Sequence, residues 1–139
     1  MAGQTIGLVK AYKIDDAAGV GQYVAVVQGA NDGCCKKPAA INAAGFLGVT
    51  LEAQANQNKA VSVCKSGIVR VKAHGAITRG DRVNIYSSAG DVQSIESTIV
   101  AAPGTATRQN VIGVAEVTAA DGDIFPMMIQ PFLVSIAVS

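Results

Sequence analysis

The sequence predicts an all-β protein, and three observations carry that expectation. Half of the 139 residues are hydrophobic, yet aromatics make up only 4% and Trp is absent. Ala, Val and Ile dominate instead, and small or β-branched side chains suit thin, closely packed sheets better than a core built on rings. Fifteen glycines supply the tight turns that a chain of short strands requires. The apolar runs are short, several alternate with period two, and Gly, Asn or Asp bounds them. The length suits one domain and is short for two.

The first segment, residues 2–18, has a β-prone start at Thr5-Ile6-Gly7-Leu8-Val9 and leads into polar and small residues from Asp15 to Gly21. Two readings stand. It is an arm, residues 1–20, ahead of a β-rich domain at residues 21–139, or it is that domain's ordinary first strand. An arm would add a strand to a partner's sheet through main-chain hydrogen bonds. Its contact residues would be Thr5, Ile6, Leu8, Val9 and Lys10.

Val24 to Gln28 is the next strand, ending at Gly29, and Asn31-Asp32-Gly33 is a turn. Lys37 to Ala44 is the one helical candidate, a single turn at most, since it holds Pro38 and Asn42. Phe46 to Glu52 and Ala60 to Cys64 read as strands around a polar loop at Gln54 to Lys59. Ser66-Gly67 turns the chain into Ile68 to Ala73, where polar Arg70 and Lys72 alternate with apolar neighbours, as in a strand with one buried face. Val83 to Tyr86 and Val92 to Ile95 form a hairpin closed by Ser88-Ala89-Gly90-Asp91.

Glu96 to Gln109, with Pro103 and Gly104, reads as an exposed loop. Val111 to Val117 and Ile124 to Pro131 make the last hairpin across Asp121-Gly122, and Pro126 and Pro131 push its second strand toward a sheet edge. Phe46-Leu47-Gly48-Val49 recurs as Val111-Ile112-Gly113-Val114. The echo suggests two equivalent strand-turn-strand units.

No catalytic set assembles from these residues. There is no GxSxG elbow, no phosphate loop and no CxxC pair. His74, the only histidine, precedes Gly75 at a strand end and reads as a turn residue, although a dyad with Cys64 is conceivable in chemistry. Asp15-Asp16 and Asp121/Asp123 lie in small-residue and turn contexts, too few ligands for calcium. Cys34 and Cys35 are adjacent, so a strand points them to opposite faces. With Cys64 they read as small reduced hydrophobes, and neither a metal nor a cofactor is expected.

Charge narrows the partners. Eleven Lys plus Arg against ten Asp plus Glu give a net charge of +1, and Lys36-Lys37 is the only adjacent basic pair. That balance argues against nucleic acid and permits close association with itself or a large neutral partner. No apolar run approaches the ~20 residues of a membrane helix, and Met1 to Lys10 does not read as a signal peptide. Synthesis in a host cytoplasm is the expectation. The tail from Phe132 to Val138 is apolar, and Phe132, Leu133, Val134 and Ile136 are the expected oligomer interface.

The ordered series runs from Gly45-Phe46-Leu47-Gly48-Val49-Thr50 through Ala60-Val61-Ser62-Val63 to Ser66-Gly67-Ile68-Val69-Arg70-Val71. It continues with Ala76-Ile77-Thr78-Arg79-Gly80-Asp81-Arg82-Val83, Ala89-Gly90-Asp91-Val92 and Val111-Ile112-Gly113-Val114-Ala115. Together these resemble the capsid cement, or head decoration, family of tailed phages, over about residues 20 to 134. The resemblance implies a compact barrel of the β-tulip or β-clip kind, trimeric in many members. It implies a non-enzymatic virion protein bound to the major capsid protein on the outer shell, at or near three-fold positions. A symmetric trimer multiplies weak contacts through effective concentration. The alternative is a prophage-encoded β-domain binding a protein or glycan at a surface, although few aromatics are present to stack on sugars.

Overall fold

The computed structural model describes residues 4–96 and 106–137, with side chains for 4–96 and 109–133. The expected all-β class is the observed one: no helix occurs among the described residues. The strands are β1 (Thr5–Ile6), β2 (Val9–Ile14), β3 (Ala25–Gln28), β4 (Cys34–Lys36), β5 (Phe46–Thr50) and β6 (Ala60–Cys64). There follow β7 (Gly67–Lys72), β8 (Arg82–Ile85), β9 (Val92–Ser94), β10 (Ala106–Ala115) and β11 (Ile124–Ala137).

Five strands close a barrel in the order β2-β4-β3-β5-β6, and the others form a sheet ordered β1-β7-β11-β10-β8-β9. Among the strand pairs only β2 with β4 is parallel. Because side chains alternate across a strand, and a register shift at Leu47 resets the phase of β5, the barrel strands serve two cores. Tyr12, Ile14, Val26, Cys35, Leu47, Val61 and Val63 pack together with Val20 as one cluster. Ala25, Val27, Val49 and Cys64 come from the same strands but join the sheet's Val69, Val71, Val83, Ile85, Val92, Ile112, Phe125 and Met127. Most of these side chains are Ala, Val or Ile, which lets the barrel wall lie close to the sheet.

Three expectations need correction. First, the described part of the expected arm, residues 4–20, does not stand apart from the domain. β2 pairs with β6 over Val9 to Lys13 and with β4 at Lys13 and Ile14, and Tyr12 and Ile14 are buried. The segment is therefore a stave of the barrel, and without it the apolar interior would open to water. Second, the loop expected at residues 96–109 ends early. β10 begins at Ala106, where it pairs with Ala137, while residues 97–105 lie outside the described residues.

Third, β11 is interior, between β7 and β10. The prolines fit because of where they fall. Pro126 lies opposite Arg70, whose N–H is turned away to Gln4 Oε1. On its other side the Pro126 carbonyl accepts from Glu116 N–H, just past the end of β10, so the N–H that proline lacks is missed only at the end of that ladder. Pro131 lies in the register shift opposite Val111 to Gly113, and bulges tolerate proline. The stretch Lys37 to Ala44 runs through turns and not a helix.

The repeated Gly-Val motif has one physical cause at both sites. A Cβ at Gly48 would run into Cys64 O of β6, and one at Gly113 into Met128 O of β11. Each glycine adjoins a register shift. The two units lie in different sheets.

Candidate functional site

The candidate contact residues of the N-terminal segment lie on one continuous stretch of surface. Thr5, Ile6, Leu8, Val9 and Lys10 are all exposed, with Leu8 at 61%, Val9 at 41% and Ile6 at 37%. They are exposed although the chain is tied down on both sides. Ile6 pairs with Gly67 at the edge of the sheet, and Val9 pairs with Cys64 in the barrel. Between them the chain crosses from sheet to barrel beside Ser66, which accepts the N–H groups of Gly7 (at its carbonyl, 3.0 Å) and Leu8 (at Oγ, 2.7 Å).

One edge of this stretch is open. Lys13 N–H donates to Gly33 O on the β4 side, at 3.0 Å. Strand alternation sends the main-chain groups of Ala11 and Val9 to that same side. The β2–β4 pairing covers only Lys13 and Ile14, so Val9 to Ala11 has no strand beside it there among the described residues. A groove of about 590 Å³ lined by Ala11, Tyr12, Lys13, Asp32 and Cys34 adjoins this edge. An unpaired strand edge is a template for an added strand.

The expected oligomer interface is described in part. Phe132 and Leu133 are exposed, Leu133 at 58%. Val134 and Ile136 lie in β11, but their side chains are outside the described residues. Phe132 lines a groove of about 310 Å³ with Phe46, Val111, Ile112 and Pro131. Beyond Gly113 on β10 and Met128 on β11, these two strands pair only with each other among the described residues. On the β10 side Gln109, Val111 and Ile112 are buried against the domain, while on the β11 side Phe132 and Leu133 are exposed.

The chemistry-bearing residues serve the fold. His74 stacks on Tyr86 with centroids 3.4 Å apart, and its Nδ1 is 3.6 Å from Asp91 Oδ2. Ser87 Oγ donates to Asp91 Oδ1 at 2.6 Å. The carboxylate therefore stands between serine and imidazole, whereas nucleophilic catalysis needs the imidazole next to the hydroxyl. Cys64 Sγ donates to Ser66 O at 3.0 Å and is buried in the second core, whereas His74 is half-exposed.

Both carboxylate pairs fasten turns. Asp15 Oδ2 accepts from Ala30 N–H, and Asp16 Oδ2 accepts from Lys37 N–H, each at 2.7 Å. Asp121 Oδ1 accepts from Gly75 N–H at 2.7 Å, and Asp123 Oδ2 from Ala120 N–H at 2.9 Å. No cluster suited to a metal occurs among the described residues. Cys34 is half-buried and Cys35 fully buried; burial pushes both thiols up, Cys35 to about 11.

Two features had no signal in the sequence. Lys10 and Lys65, far apart in the chain, converge on Tyr12. Asn42, Asn84, Gln109 and Asn110 form a partly buried amide network. Both depend on strand pairing, which no local pattern announces.

No protein-family model matches the chain, and no curated protein matches it. Among solved structures, the fold is similar to that of the head fiber gp8.5 N base of bacteriophage phi29. The TM-score is 0.59 at 17% identity, covering 88% of this chain and 93% of that one, and at that identity the likeness is one of fold.

Proposed function

We propose that the chain is a structural, non-enzymatic protein of a bacteriophage virion. It attaches to the major capsid protein on the outer shell as a homotrimer and reinforces the particle there. The observation that carries this reading is the fold likeness, over nearly the whole of both chains, to the base of a phage head fiber. The ordered series of strand motifs that resembles capsid cement proteins supports it independently. So does the surface: an exposed apolar stretch at Ile6 to Val9 with an open strand edge, and exposed Phe132 and Leu133 on β11.

Shell attachment falls to the first surface, and self-association to the second. An expanded shell under internal pressure gains from any clamp whose contacts must break before subunits part. Three linked copies would keep each weak contact at high effective concentration.

The test is co-sedimentation of the purified chain with undecorated capsids, followed by electron microscopy of the pellet. Bound density at three-fold or quasi-three-fold positions is expected. A chain that stays in the supernatant with every capsid tried would overturn the reading.

A further inference from the structure

Tyr12 is 6% exposed in the barrel, and two ammonium groups close on it. Lys65 Nζ donates to Tyr12 Oη at 2.6 Å and lies 5.1 Å from the ring centroid. Lys10 Nζ lies 5.2 Å from the same centroid. The Lys10 distance is within the range at which a cation is attracted to a ring face, while Lys65 sits beyond the hydroxyl at the edge of the ring. Among the described residues no carboxylate comes within 4.0 Å of either lysine.

The donor count identifies what is missing. A lysine ammonium has three donors and no acceptor. Tyr12 Oη already accepts from Lys65, which leaves its own O–H proton to donate outward, and no described residue receives it. Two like charges held at one ring repel each other unless a negative group comes between them. Such a cluster of donors lacks an anion.

The surroundings select the kind of anion. Leu8 and Val9, next to Lys10, are exposed, and the Val9 to Ala11 edge of β2 has no strand beside it toward β4. A free inorganic ion would use neither feature. A carboxylate carried on an extended chain would use both, with apolar neighbours against Leu8 and Val9 and main-chain bonds along β2.

We propose that Lys10, Tyr12 and Lys65 form an anion site that takes an Asp or Glu side chain on an extended segment of a partner protein. The proposal rests on reading this face as the side that attaches to the shell, and it names the chemistry of the partner segment. The carboxylate accepts from Tyr12 Oη and from at least one ammonium, and charge-assisted bonds of that kind are the strong ones.

The test needs no capsid. The full chain, labelled with nitrogen-15, is titrated with the peptide acetyl-Val-Glu-Val-amide, with its Val-Gln-Val counterpart, and with inorganic phosphate. Saturable amide shifts confined to Leu8 through Tyr12 and to Lys65 are expected for the Glu peptide, with binding weaker by about tenfold for the Gln peptide. Lys65→Gln and Tyr12→Phe should each weaken the Glu peptide while both variants keep a single cooperative melting transition.

Equal binding of the two peptides, indifference to both substitutions, or binding of phosphate alone would overturn the proposal. Capsid co-sedimentation of the wild-type chain, run beside the peptide titration, separates the two readings. A wild-type chain that pellets, with a Glu peptide that does not bind, would sink the anion site and leave the virion role standing.

Discussion

Leu8 N–H donates to Ser66 Oγ at 2.7 Å, and Lys65 N–H returns to Leu8 O at 2.7 Å. These bonds join two crossings. β1 and β2 pass from sheet to barrel beside β6 and β7, which make the same passage in the opposite direction. The exposed residues Ile6 to Lys10 are thereby held on a fixed ribbon. Ser66→Ala removes one acceptor at an exposed site, and a loss of about 0.5–1.5 kcal/mol is expected in urea unfolding.

Ile14 and Leu8 belong to one segment but face opposite environments. Ile14 is fully buried and Leu8 is 61% exposed. Ile14→Ala should cost about 2–5 kcal/mol, while Leu8→Ala should stay within about 0.5 kcal/mol. Deletion of residues 2–18 should abolish the cooperative melting transition, because β2 closes the barrel. A truncated chain that melts like the full one would show that the barrel does not need this stave.

Gly48 and Gly113 are required for close approach and Gly33 for its backbone angle. A Cβ at either of the first two meets the main chain of the next strand, so alanine there should cost about 1–3 kcal/mol or more. At Gly33, φ is +76° and nothing lies within 4 Å of the added atom. Gly33→Ala should cost about 1–2 kcal/mol, from the left-handed backbone alone. Thermal unfolding of the three variants checks the ranking.

Asn84 is wholly buried, and its Nδ2 donates to Gln109 Oε1 at 2.8 Å and to Asn42 Oδ1 at 3.2 Å. Its own Oδ1 has no partner. Asn84→Ala withdraws the donor from Gln109 and leaves a cavity, for an expected loss of about 1–3 kcal/mol. Asn42 Oδ1 keeps the Asn110 N–H at 2.7 Å. The double variant Asn84→Ala with Asn42→Ala should therefore depart from additivity, which a double-mutant cycle reads directly.

Burial pushes the Cys35 thiol up to about 11, with Asp15 and Asp16 adding to the effect. The folded state thus holds this proton more tightly than the unfolded chain. The resulting stability is complete below the unfolded thiol value, near 9, and is lost as pH rises toward 11. Unfolding midpoints measured from pH 8 to 11 should fall more steeply for the wild type than for Cys35→Ala. Parallel profiles would remove the thiol as the cause.

The sequence by itself determined the class and most of the strands. Composition and turn glycines excluded a helical chain, and Ala60 to Cys64 and the alternation through Arg70 and Lys72 mark β6 and β7 within a residue or so. These are local properties, since period-two alternation and turn chemistry are written in neighbouring residues. Only the tertiary structure decided which strand lies beside which. It made the first segment a barrel stave, placed proline-bearing β11 inside a sheet, and extended β10 back to Ala106. It also brought Lys65 onto Tyr12 and Asn84 onto Gln109. Strand pairing joins residues far apart in the chain through main-chain hydrogen bonds that every residue can make, so local side-chain order does not name the neighbouring strand.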